Sequence, residues 1–176
     1  MIATPAPGYG AQMTDSRSLS AYLNDHLAGA TGGVELFHRA ARSHQGEAAE
    51  ELGRLRDEVV ADRASLRSLM GRLEVRENLP MAAIGWVGEK VGRLKPNGYL
   101  VSRSPLADVI ELEGLRAGVH AKLCLWQVLR AVARHDDRVS VEELEVLLER
   151  AEDQQARLYA LHLRAAQRNL ATDSRP

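Results

Sequence analysis

Between residues 52 and 73 the chain reads Leu52, Leu55, Val59, Asp62, Leu66, Leu69 and Leu73, apolar at steps of three and four with one interruption. A helix turning once per 3.6 residues gathers all seven side chains on one face, whereas a strand would divide them between two. The rhythm recurs. Leu19, Leu23, Leu27, Ala30, Val34, Phe37 and Ala41 predict a first helix over 18–43, and the quoted stripe a second over 47–73. The third, over 105–135, is the most apolar. The fourth, over 140–170, turns Leu144, Leu147, Leu148, Ala151, Leu158, Leu161 and Ala165 inward, and Ser140 with Glu143 opens it as a capping box. Each stripe must be buried, and the nearest apolar surfaces are the other three. The chain is therefore expected to be all-α, with one domain over 18–170 between a flexible tail (1–17, with Pro5, Pro7, Gly8 and Gly10) and a polar tail (171–176).

The links decide the topology. Ser43 to Gly46 and the turn at His135-Asp136-Asp137 are short, so each joins an antiparallel hairpin. The stretch 74–104 is long. Pro80 suits the first turn of a short helix carrying Met81, Ile84, Val87, Val91 and Leu94, which Gly92, Pro96, Asn97 and Gly98 bring to an end. Extended chain then leads to Ser104-Pro105, an N-cap and first helical residue. A helix of about 27 residues is roughly 40 Å long. This segment spans that length, so the third helix starts where the second started. Two hairpins joined by one long crossover containing a short helix form a ferritin-like antiparallel four-helix bundle.

Within this layout, Leu112-Glu113-Gly114-Leu115 and the run from Gly118-Val119-His120-Ala121 through Lys122-Leu123-Cys124-Leu125-Trp126 resemble small uncharacterised bacterial ferritin-like proteins over residues 18–170. The resemblance implies the bundle fold. It carries no catalytic residue across.

Several functions lose support at once. With 23 basic and 24 acidic residues the net charge is −1, which exerts no long-range pull on nucleic acid or anionic lipid. The single cysteine, Cys124, excludes an intramolecular disulfide and suits a reducing compartment. No apolar run reaches membrane-spanning length, and the first residues lack the basic start and apolar core of a secretory signal, so residence in the cytoplasm is expected. Gly85-Trp86-Val87-Gly88 lacks the Gly-Lys-Ser/Thr ending of a phosphate loop. Trp86 and Trp126 read as core anchors, Cys124 as a small apolar residue without a nearby base, and His38 and His44 as partners of a helix C-terminus.

Ferritin-like di-iron sites need a Glu on each of two helices and Glu-x-x-His on the other two. Here Glu35 and His38 form the one such pair, pointing away from the inward stripe. Glu113 is followed at the third place by Arg116, Glu152 by Gln155, and the second helix offers Glu58 and Asp62 without a His. The full set is absent. A lesser constellation remains: at 1.5 Å per residue, Asp62 and His120 fall at one level, His26 and Gln155 within roughly 5 Å of it, and Glu113 and His162 about 10 Å higher. Asp62, His120, His26, Glu113 and His162 are thus the candidate metal ligands, for iron or another divalent metal. The structural reading of the same residues is a set of hydrogen-bonded pairs that fix helix register, with Glu113, Arg116, His120 and Gln127 as a solvated face. The function expected is that of a non-enzymatic bundle acting as a homo-oligomer or on a protein partner. The alternatives are a ferritin-like metal-binding or oxidative-stress protein, and a small-ligand pocket between the helices.

Overall fold

A computed structural model describes residues 16–78 and 105–170. They form four helices: α1 (Ser16–Ser43), α2 (Gly46–Arg72), α3 (Pro105–Val132) and α4 (Val141–Leu170). All four predicted stripes become helices, and α3 stops at Val132, ahead of His135. The short helix expected after Pro80, the extended run to Ser104 and both tails lie outside the described residues.

Contacts between the helices give their directions. Arg39, Ser43 and His44 at the end of α1 reach Glu111 near the start of α3. Along α2 and α4, Arg72 pairs with Glu143, Asp62 with Arg150, Glu51 with Arg157 and Glu47 with Arg164, so these two run in opposite directions. The charges recur at seven-residue steps (Arg150, Arg157, Arg164 against Glu51, Glu58) and reverse at the Arg72–Glu143 end. A sliding or parallel α2–α4 pairing would set like charges together, so the ladder selects this register more than it adds stability.

The core divides in two. One cluster joins Leu23 and Leu27 of α1, Leu66, Leu69 and Met70 of α2, Leu125, Trp126 and Leu129 of α3, and Leu144, Leu147 and Ala151 of α4. The other joins Val34 and Phe37, Leu52, Leu55 and Val59, Leu112, Leu115 and Val119, and Leu158 and Leu161. Each half takes one end of every helix. Burying each of these leucines contributes about 1.5–3 kcal/mol, so both halves are well supplied without any polar residue. Between them the pattern changes.

The ends of the helices are built locally. Gly46 opens α2 at φ 59°, a conformation that side chains with a Cβ resist. At the start of α4, the Glu143 N–H donates to Ser140 Oγ at 3.1 Å, one arm of the expected capping box. The other arm is missing, because the Glu143 carboxylate turns to Arg72. At the end of α2, Val75 N–H donates to the Met70 carbonyl (2.9 Å) and Glu74 N–H to that of Gly71 (3.1 Å), a Schellman motif. Its left-handed position, usually glycine, is Glu74 at φ 58°. Glu74→Gly is therefore expected to raise stability by about 0.5–1 kcal/mol, since relief of the Cβ clash outweighs glycine's larger unfolded freedom. Urea unfolding checks this, and a loss of stability would contradict the assignment of strain. Past this turn, buried Asn24 of α1 holds the chain: its Nδ2 donates to the Arg76 carbonyl (3.1 Å), and its Oδ1 accepts from Asn78 N–H (2.6 Å).

Candidate functional site

Reading the core positions along each helix locates the break between the two halves. On α2 they run Leu52, Leu55, Val59, Asp62, Leu66, Leu69; on α3 Leu115, Val119, Lys122, Trp126, Leu129; on α4 Leu147, Ala151, Gln154, Leu158, Leu161. All keep the alternation of three and four. One polar residue per helix occupies a core position, and the three meet at mid-height.

Their geometry is close. Lys122 Nζ donates to Asp62 Oδ2 at 2.5 Å and to Gln154 Oε1. Gln154 Nε2 donates to Asp62 Oδ2 (3.1 Å) and Glu58 Oε2 (3.1 Å). Arg150 Nε stands 2.8 Å from Asp62 Oδ1 at ion-pair distance, with its N–H out of line for a hydrogen bond. The side chain of Asp62 is 2% exposed and that of Lys122 13%, and Gln154 is wholly buried. Outward from this centre, Arg157 ties Glu58 (2.8 Å) and Asp153 (2.7 Å) to Glu51 (2.5 Å), carrying the network to the surface along the α2–α4 seam.

Burial holds the Lys122 ammonium pKa below its ordinary 10.5; the Asp62 carboxylate opposes that fall and the Arg150 guanidinium adds to it. The unfolded chain therefore binds this proton more tightly than the folded one. Below the folded pKa, the lysine is charged in both states and its full desolvation cost is present. As pH rises toward 10.5 that cost is relieved, and stability from this group increases. Lys122→Met lacks the titration. Wild-type protein is thus expected to gain stability on that variant as pH is raised toward 10.5. Paired thermal melts check it; a stability difference that stays constant, or moves against wild type as pH rises, would count against a buried, charged Lys122.

The sequence candidates are dispersed. Asp62 is buried, as its place in a leucine stripe implied. His120 lies at the level expected but is exposed, one residue beyond a core position, with Nε2 3.9 Å from Cys124 Sγ. Cys124 thus does have a nearby base. Glu113 is likewise exposed, and Gln127 shares that solvated face. His26 is half-buried on α1 with its ring 4.5 Å from Tyr22, and burial lowers its pKa against a smaller opposing effect of Asp25. His162 is engaged at Nδ1 by Arg116 Nη1 (2.9 Å), whose carbonyl accepts from Gln155 (2.8 Å). The pair Glu35 and His38 is exposed and lines a shallow depression with Arg39, Arg42 and Ser43. His44, expected as a helix-end partner, is instead buried against Glu111. Among the described residues no group of three or more His, Cys, Asp or Glu could hold a metal ion.

The mid-height centre also does not suit iron or another divalent cation. Its one fully buried carboxylate already carries an ammonium and a guanidinium, and a dication placed there would meet both. Sequence reasoning missed Lys122 and Gln154. On α4 the signal was present: the seven-residue gap between Ala151 and Leu158 in the inward stripe marks Gln154.

Fold and site together define an all-α four-helix bundle whose core is crossed by a layer of charge. No protein-family model, no curated protein and no solved structure matches the chain. No helix among the described residues is long and apolar enough to cross a membrane.

Proposed function

We propose that this chain is a non-enzymatic bundle that works by self-association, laid out as a ferritin-like fold in which residues 79–104 carry the chain lengthwise from α2 to α3. The layout is supported by direction: α1 and α4 both run opposite to α2 and α3, so the end of α2 and the start of α3 lie at opposite ends of the bundle. Functional support comes from how the polar groups are used. Asp62 and Glu111, the buried carboxylates among the described residues, are each engaged by basic side chains of the same protein. The observation that carries the proposal is on α3, whose outward face keeps Ile110 and Val128 about two-fifths exposed with small residues between them.

Light scattering across a concentration range from micromolar to millimolar tests the proposal. A mass rising above the 19.3 kDa of one chain supports it. A mass that stays at one chain throughout contradicts it.

A further inference from the structure

The outward face of α3 reads Ile110, Gly114, Ala117, Ala121, Cys124, Val128, steps of three and four directly opposite the core positions. All are exposed except half-buried Cys124. Charge is nearly absent from this stripe: Glu113 lies at its edge, and Lys122 turns inward to Asp62. Gly114 and the adjacent Gly118 have open space where a Cβ would stand, so no neighbour within the chain uses their smallness.

The order of the residues is symmetric. In an antiparallel helix pair, residues whose numbers have a constant sum face one another. About Val119, Ala117 faces Ala121, Gly114 faces Cys124 and Ile110 faces Val128. Small residues meet small at the centre, where two helices crossing at a shallow angle approach most closely, and large meet large toward the ends. A two-fold interface requires this self-complementarity, because residue i must accept residue j and j must accept i. A dissimilar partner imposes no such symmetry.

From these observations we infer that the outward face of α3 is the surface of a two-fold homodimer, a second copy packing its own α3 antiparallel across Ala117 and Ala121. The inference rests on the self-association proposed above and assigns its face and symmetry. The area sets its strength. A 28-residue helix is about 42 Å long and about 10 Å wide, so the stripe alone buries roughly 800 Å² over both copies, below the ~1,200 Å² at which stable specific interfaces begin. The dimer is weak, dissociating in the micromolar range or above.

Charge placed at the crossing point tests this. Ala117→Glu and Ala121→Glu each set carboxylates against the closest approach while leaving the exposed face of the monomer foldable, which circular dichroism confirms. Each is expected to weaken dimerisation at least tenfold by light scattering. The double variant Ala117→Glu/Ala121→Lys, which pairs opposite charges across the two-fold, recovers it. Val146→Glu, on the side of α4 that carries Arg150 and Arg157, leaves the dimer intact. A wild-type chain that stays monomeric overturns both this assignment and the proposed function. A wild-type dimer indifferent to both glutamate variants overturns the α3 assignment alone, as does failure of the double variant to recover.

Discussion

Asp62→Ala is expected to lower the unfolding free energy by about 3–5 kcal/mol, the usual cost of removing one member of a buried ion pair. For a domain of this length that is a fall in Tm of roughly 6–20 °C. The loss comes less from the attraction removed than from what stays behind. Lys122 would remain buried beside the Gln154 amide and the Arg150 guanidinium, with the Glu58 carboxylate left to favour its charge, and desolvation already works against that charge. Replacing both partners at once behaves differently. Asp62→Leu/Lys122→Met continues the leucine stripes of α2 and α3 through the layer, and is expected to be neutral to stabilising relative to wild type. Thermal melts of the three proteins check the order. An Asp62→Ala protein within about 1 kcal/mol of wild type would be incompatible with a buried layer.

The second large effect lies in the half-core beside the layer. Trp126 is 1% exposed among Leu23, Leu27, Leu69 and Leu147, so Trp126→Ala is expected to cost about 3–5 kcal/mol through lost burial and the cavity left behind. Its indole N–H has no hydrogen-bond partner among the described residues, which costs roughly 1–3 kcal/mol in the folded state. Trp126→Phe keeps most of the ring and deletes the orphaned donor, so it should cost much less than the alanine variant. Urea unfolding separates the two; a phenylalanine variant as unstable as the alanine one would mean that the N–H is satisfied after all.

Much of this molecule could be read from its residues. The apolar stripes fixed the four helices, because a run such as Leu52 to Leu73 has one face in a helix and two in a strand. Axial height was legible as well. The spacing puts Asp62 level with His120 and within roughly 5 Å of Gln155, and in the bundle it meets Lys122 and Gln154, their neighbours by two residues and one. What failed was azimuth. Each residue turns the helix by about 100°, so the two-residue step from Lys122 to His120 is about 200°, and assigning His120 inward exchanged a core position for a solvated one. On α3 small and apolar residues appear on the outer face too, and no single stripe marked the inside until the partners on α2 and α4 were known. Glu111 escaped notice for a related reason: its carboxylate is buried only because the ends of α1 and α3 meet, where Arg39, Ser43 and His44 converge on it.

The charged layer is the feature on which this account of the bundle turns. A double-mutant cycle over Asp62→Ala and Lys122→Ala measures it most directly, because the cycle cancels what each substitution does elsewhere. Contact between the two side chains predicts a coupling of about 1–3 kcal/mol, with the double variant less damaged than the sum of the singles. Strictly additive losses would mean that Asp62 and Lys122 do not meet, and that α2 and α3 are not held in the register described.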